Sequence, residues 1–128
     1  MIYVDTSVAL AHLLAEDHRP ASSLWDEPLV SSRLLEYELW NRIHARRLTS
    51  SHGEAARLLV GRLALIELAR EVLTRALEPF PCPVRTLDAL HLASADFLRR
   101  QGQSISIVSY DERLLTAARA LEFEAWEP

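Results

Sequence analysis

Residues 1–7 read MIYVDTS. Ile2, Tyr3 and Val4 form a short apolar run of strand-favouring residues, and Asp5 ends it at once, with Thr6 and Ser7 behind it. From Ser7 to about Asp17 the apolar residues Val8, Leu10, Ala11, Leu13 and Leu14 give a helix one broad apolar side. A strand that passes directly into a helix is the opening unit of an alternating α/β chain. The carboxylate at the joint has two readings. Asp5 caps the helix, or it is the first piece of an acidic site.

The alternation continues along the chain. Pro20 permits a helix start, and Ala21 to Asp26 forms a short one. Leu29 to Ser32 (LVSS) reads as a brief strand that hands a serine cap to a long helix over Arg33 to Leu48. Ser51 to Leu63 is a further helix, with Ser51 and Glu54 at capping-box spacing. Ala64 to Leu68 (ALIEL) suits a strand, and Glu71 to Leu77 a helix that Pro79, Pro81 and Pro83 end. Thr86 caps a helix running to about Arg100, with Gly102 at its C-terminal end. Ser104 to Ser109 (SISIVS) is the clearest strand after the first, Asp111 to Leu121 the last helix, and FEAW at 123–126 a last short strand. The connections are too short to join parallel strands except through these helices. A mostly parallel sheet covered by helices on both faces is therefore expected.

Composition narrows the function. At 128 residues the chain suits a single domain, residues 1–128, with one real core. A net charge of −4 is not the balance of a protein that coats nucleic acid. All 14 basic residues are arginine, so a local basic patch stays open. The lack of lysine excludes a P-loop lysine, a Schiff-base lysine and the lysine of receiver domains. The one cysteine, Cys82 between Pro81 and Pro83, makes neither an intrachain disulfide nor a thiolate metal site and is expected to be a partly buried small residue. No apolar run approaches the roughly 20 residues of a membrane span. No basic segment followed by an apolar one precedes the first strand, so a cytoplasmic location is expected.

Topology turns scattered acids into an arrangement. In an open α/β sheet, ligands bind beyond the carboxyl ends of the strands. Asp5 follows the first strand and Asp111 follows SISIVS, so parallel strands put both on one sheet edge. Asp88 lies in the first turn of TLDALHLASADFLRR, and Glu38 lies inside the apolar arc of SRLLEYELWNRIHARR. Buried carboxylates are expensive unless neutralised, and a divalent cation with hard oxygen ligands neutralises them. Each acid also has a plainer role. Asp88 gains from the helix dipole, Asp111 caps the last helix, and Glu38 pairs with Arg42 at i, i+4. Glu36 shares the apolar arc, so angle alone does not choose between the two glutamates. Asp17, Asp26 and Asp96 read as solvated or capping acids.

MIYVDTS, SRLLEYEL, TLDALHLASA and SYDERLLTAA resemble, in order and spacing, the motifs of PIN-domain proteins, in particular the VapC toxins of bacterial and archaeal toxin–antitoxin pairs. The resemblance covers essentially the whole chain. It implies a three-layer α/β/α sandwich with a parallel sheet of about five strands and metal-dependent endoribonuclease activity restrained by a cognate antitoxin. It carries the family's catalytic acids onto Asp5, Glu38, Asp88 and Asp111, the register of SRL selecting Glu38 over Glu36. One or two Mg²⁺ or Mn²⁺ ions would be held mainly by Asp5 and Asp88, with Asp111 as a further ligand and Glu38 closing the pocket, for metal-assisted hydrolysis of an RNA phosphodiester. Thr6 and Ser7 match the polar pair after the first aspartate, placed to hydrogen-bond a ligating carboxylate or water. Ser109 stands where the family often has threonine and keeps the hydroxyl.

Arg42, Arg46 and Arg47 along the Glu38 helix, Arg85 ahead of Asp88 and Arg113 after Asp111 are candidates for phosphate contacts, because arginine grips phosphate bidentately, while each taken singly reads first as a solvated surface residue. Trp25, Trp40 and Trp126 are expected mainly in the core, and His91 as a packed helix residue. The expected partners are RNA, a cognate antitoxin covering the site and resting on an apolar surface with Leu10, Leu14, Leu34 and Trp40, and a second copy in a homodimer, with a toxin–antitoxin hetero-oligomer on operator DNA as a further assembly. Two alternatives stand beside the nuclease. One is a catalytically idle antitoxin-binding module. The other is a phosphatase with an aspartyl nucleophile, which normally carries a second aspartate where this chain has Ser7.

Overall fold

The computed structural model describes residues 1–128. Its sheet comprises β1 (Ile2–Val4), β2 (Leu29–Ser32), β3 (Ala64–Ile66), β4 (Ser106–Val108) and β5 (Glu124–Ala125) in the order β3-β2-β1-β4-β5, every neighbour parallel. The helices are α1 (Thr6–Leu13), α2 (Arg33–Ala45), α3 (Thr49–Gly61), α4 (Arg70–Leu77), α5 (Thr86–Arg100) and α6 (Glu112–Ala120), and the segment expected as a helix before β2 is a 3-10 turn over Ser22–Asp26. β1 is hydrogen-bonded on both sides and buried throughout, as a central parallel strand requires.

Strand alternation builds two cores. Ile2, Val4, Leu29 and Val108 pack on one side of the sheet against Val8 of α1, Leu35 and Leu39 of α2 and Leu59 of α3. Tyr3, Val30 and Ile107, the residues between, pack on the other side with Leu92 of α5 and Leu114 of α6. One-residue steps that change face are the mark of a pleated strand covered on both sides. The result is the expected three-layer α/β/α sandwich. Trp25, Trp40 and Trp126 pack half-buried against the first core, as expected of structural tryptophans, and Cys82 is half-buried against the second.

Helix ends depart most from the sequence reading. α1 stops at Leu13 rather than near Asp17 because Ala15 turns left-handed (φ 50°), with Ala15 N–H donating to His12 O and Glu16 N–H to Ala11 O. That pair of bonds is a Schellman closure. Arg47 (φ 55°) does the same for α2, which ends at Ala45 rather than Leu48. At α5 the left-handed residue is Gly102 (φ 92°), as expected. The capping box at Ser51 does not form: α3 begins at Thr49, and the Ser51 hydroxyl instead donates to Leu48 O. Thr86 is the first residue of α5, not its cap, which is Arg85.

Asp96 is a larger correction. It is neither solvated nor a cap but buried on α5, where Arg75 of α4 (2.7 Å), Arg99 (2.9 Å) and Arg100 (3.1 Å) surround its carboxylate. These arginines hold its acidity above that of an ordinary aspartate, against the opposing effect of burial. Arg75 also lies over the Phe80 ring at 4.5 Å, so the cluster ties α4 to α5.

Candidate active site

β1 and β4 are neighbours from which the chain winds outward in opposite directions, so the gap beyond their carboxyl ends is a topological switch point. Asp5 opens onto it from the first position after β1, and Asp111 from the third position after β4. Both are also helix caps. Asp5 caps α1, and Asp111 caps α6 through Arg113 N–H (2.9 Å) and Leu114 N–H (3.3 Å). Asp5 is thus the cap of α1 and stands at the sheet edge at once.

The two roles are divided between the two oxygens of each carboxylate. Asp5 Oδ2 accepts from the Ser7 hydroxyl (2.6 Å), the Ser7 amide (3.4 Å) and the Ser109 hydroxyl (2.8 Å), while Oδ1 takes no hydrogen bond from the chain. Asp111 uses Oδ1 for its cap, and its Oδ2 lies 3.9 Å from Arg85 Nη2. Glu38 Oε1 accepts from the Thr6 hydroxyl (2.8 Å) and from His91 Nε2 (2.6 Å), leaving Oε2 without a partner. Asp88 makes no hydrogen bond and has only Arg85 Nε nearby, at 3.7 Å. Each acid is thus anchored by one oxygen or none, with another unengaged or held only by the exposed Arg85.

Serine ties two of these acids together. Ser109 donates to Asp5 and accepts from the Asp111 amide (2.9 Å), and Ser7 accepts from the Tyr110 amide (3.0 Å). Ser109 is buried, so this bridge between the ends of β1 and β4 is shielded from water. Thr6 serves a different acid, Glu38, across from α2. Glu36 instead lies 3.6 Å from Arg33, and Glu38 pairs with His91 rather than Arg42.

Electrostatics shows that the aspartates feel one another. Asp88 holds its proton more tightly than an ordinary aspartate, first because it is partly buried and then because Asp111 and Asp5 are near, with Arg85 opposing. His91 is the group sequence reasoning missed. Three residues after Asp88, it shares that side of α5, and its Nδ1 lies 2.7 Å from the buried Tyr3 hydroxyl. Burial alone would lower its basicity, but Glu38, Asp5 and Asp88 together raise it. The i, i+3 spacing from Asp88 was the available signal.

The donor set is chemically suited to a hard divalent cation: three aspartate carboxylates, with hydroxyls behind them. As the side chains stand, no three His, Cys, Asp or Glu residues are gathered closely enough to hold a metal ion together. Magnesium usually needs only one or two carboxylates plus waters and substrate phosphates, so open acids on a shared edge suit it. Arg85 and Arg113 line a cleft of about 410 Å³ with Asp88, Pro83 and Val84. Arg42 and Arg46 are exposed on and just after α2, and Arg46 lines no cleft with the acids. Leu34 belongs to the core, which removes it from the expected apolar docking surface, while Leu10, Leu14 and Trp40 stay half-exposed. No helix is long and apolar enough to cross a membrane.

The comparisons agree with this picture. Residues 2–120 match the family model described as PIN domain. The chain is similar over its full length to two proteins of Mycobacterium tuberculosis, Ribonuclease VapC47 (33% identical) and Ribonuclease VapC35 (32%), covering 97% of each. Ribonuclease VapC46 of the same organism is 31% identical over 94% of this chain and 92% of its own. Among solved structures, a chain of a toxin-antitoxin complex from Klebsiella pneumoniae superposes with a TM-score of 0.70 at 13% identity, covering 94% of both chains. That likeness is one of fold.

Proposed function

The chain belongs to the PIN-domain family, in its VapC branch, and from that premise we propose that it is a Mg²⁺- or Mn²⁺-dependent endoribonuclease, the toxin of a type II toxin–antitoxin pair. The observation that carries this reading is the linkage of three aspartates at the switch-point edge: Ser109 joins Asp5 to the Asp111 amide, and Arg85 reaches both Asp88 (3.7 Å) and Asp111 (3.9 Å). Asp5 and Asp88 would be the main residues to hold the cation, with Asp111 as a further ligand. When bound, the ion supplies acidity to an attacking water and charge to the phosphate oxygens.

The chain's own residues supply the rest. Ser7 and Ser109 fix the Asp5 carboxylate, and Thr6 and His91 fix Glu38. Glu38 Oε2, left unpaired, would be free to orient the water and accept its proton. Arg85 rests on Asp88 and Asp111 in the free chain and is exposed enough to turn to a phosphate oxygen when a cation takes those acids. Arg113, on the same cleft, would hold a neighbouring phosphate. A cognate antitoxin would cover this edge, and a homodimer, or a hetero-oligomer on operator DNA, would be the working assembly in the cytoplasm.

The test is cleavage of RNA by the purified chain with Mg²⁺ or Mn²⁺. EDTA should abolish it, and so should Asp5→Ala in a protein whose circular dichroism matches wild type. Undiminished cleavage by Asp5→Ala would overturn the assignment.

A further inference from the structure

The acid edge is flanked by two clefts of different chemistry. The cleft with Arg85 and Arg113 offers cations and no aromatic ring. The other, about 530 Å³, is lined by Ser7, Leu10, Glu16, His18, Arg42 and Tyr110. It abuts the catalytic acids directly: Ser7 donates to Asp5 at 2.6 Å and accepts from the Tyr110 amide at 3.0 Å. Tyr110 immediately precedes Asp111, and Arg42 lies one turn beyond Glu38 on α2.

We propose that this second cleft is a nucleobase site, receiving the base of the nucleotide next to the scissile phosphate. The inference rests on the ribonuclease reading above and adds to it where the RNA's base is read. Three features point to a base rather than another phosphate. Tyr110 is half-buried, its ring packed on the core beneath, and its hydroxyl makes no hydrogen bond within the chain. With Leu10 it gives the cleft apolar and aromatic surface suited to a base face. Arg42 has no carboxylate within 4 Å, unlike Arg33, Arg75 and Arg99, so its donors are free for a base edge. Glu16 repels phosphate but accepts hydrogen bonds from an amino group. This mixture of signs also sets the preference. A carboxylate acceptor favours adenine, cytosine or guanine, each with an exocyclic amine, over uracil, whose N3–H donor is flanked by two carbonyl oxygens that repel the carboxylate.

An RNA strand then crosses the edge with its scissile phosphate at the acids, a phosphate at Arg85 and Arg113 on one side, and an unstacked base at Tyr110 on the other. Recognition of single-stranded RNA through splayed bases stacked on aromatic rings is the general mode for sequence-dependent readers.

Two measurements test the site. In the first, saturation-transfer NMR is recorded with AMP, CMP, GMP and UMP in EDTA, where no cleavage occurs. Transfer to the base protons of AMP, CMP or GMP that weakens in Tyr110→Ala is expected, and absence of transfer to any of the four overturns the site. In the second, the ends cut from a random RNA pool with Mn²⁺ are sequenced. Wild type should disfavour uracil beside the cut, Glu16→Gln should lift that bias, and Tyr110→Ala should raise KM about tenfold while Tyr110→Phe keeps most of the affinity. If Tyr110→Ala does not fold, Glu16→Gln at an exposed position still decides. Cleavage with the wild-type base bias in folded Glu16→Gln and Tyr110→Ala overturns the site while the ribonuclease assignment stands. Base contacts by a chain that cuts no RNA support the site and overturn the ribonuclease assignment.

Discussion

His91 Nε2 lies 2.6 Å from Glu38 Oε1, and the same imidazole reaches Tyr3 on β1 through Nδ1 at 2.7 Å. Three elements, β1, α2 and α5, meet in this triad of buried Tyr3 and His91 with half-buried Glu38, and the Thr6 hydroxyl joins it from α1. Nε2 donates to Glu38 whether the ring is neutral or protonated, because Tyr3 can donate to Nδ1 or accept from it. The consequence is a glutamate held by one oxygen. Removing the holder should loosen the carboxylate: His91→Ala should lower kcat by about 10- to 100-fold, the usual scale for a partner that orients an active-site ligand, with a smaller change in KM. Steady-state kinetics on a defined RNA, with circular dichroism as the control for folding, checks it. An unchanged kcat would remove Glu38 positioning from the mechanism.

The same histidine makes stability pH-dependent. Its folded-state proton affinity is raised by Glu38, Asp5 and Asp88. A raised histidine stabilises the fold fully below its ordinary value of about 6.5, and that contribution is lost as pH climbs through the higher folded value. The Tm gap between wild type and His91→Gln, measured without metal, should therefore be larger at pH 6 than at pH 9. A constant gap would mean that the ring is neutral in both states.

Ser109 joins Asp5 to the Asp111 amide in a dry position. Ser109→Ala leaves that amide without its acceptor and Asp5 with one donor fewer, a loss of about 1–3 kcal/mol in stability by chemical denaturation. Ser109→Thr, the residue the family often carries here, keeps the hydroxyl and should retain cleavage. The comparison separates the hydroxyl's role from that of side-chain volume.

The layers and the parallel pairing of the sheet were legible because strand–helix alternation and short connections leave few topologies, while the strand order β3-β2-β1-β4-β5 had no local signal. Asp5 and Asp111 were legible for the same reason, since both follow strand ends. The helix ends were not. Ala15 and Arg47 adopt the left-handed conformation that sequence reading assigns to glycine, so α1 and α2 stop earlier than their apolar pattern. Asp96 was misread because its neutralising Arg75 comes from another helix, 21 residues away, a distance no local pattern spans. His91 looked like core, and it is buried; what its packing hid was the partner, Glu38, 53 residues earlier.

Asp96 sits among three arginines, and its proton affinity is lowered by Arg75 and Arg99 despite burial. Asp96→Asn strands the buried Arg75 guanidinium, whose Nη1 already lacks a hydrogen-bond partner. The expected loss is about 3–5 kcal/mol, large enough to lower Tm by roughly 10–20 °C. A lowered carboxylate stabilises above its ordinary value of about 3.9 and ceases to as pH falls through the lower folded value. Acid should thus narrow the difference between wild type and Asp96→Asn. Differential scanning calorimetry at pH 7 and pH 3 measures both effects.

Asp88 illustrates a conflict between stability and chemistry. Burial and the charges of Asp111 and Asp5 raise its proton affinity, so the folded state binds a proton that the unfolded state releases, and stability falls as pH rises through that window. In EDTA at neutral pH, Asp88→Asn should therefore melt above wild type, since the exposed Arg85 pair and the helix-dipole gain it gives up are each worth about 1 kcal/mol or less. Adding Mn²⁺ should reverse the order. A ligand at 100 times its Kd stabilises by about 2.7 kcal/mol, and only the chain with its acids intact should gain it. Thermal melts of both chains with and without Mn²⁺ read this directly. A wild-type Tm indifferent to Mn²⁺ would count against metal binding at this edge, and an apo Asp88→Asn less stable than wild type would show that Asp88 is held by interactions stronger than the repulsion.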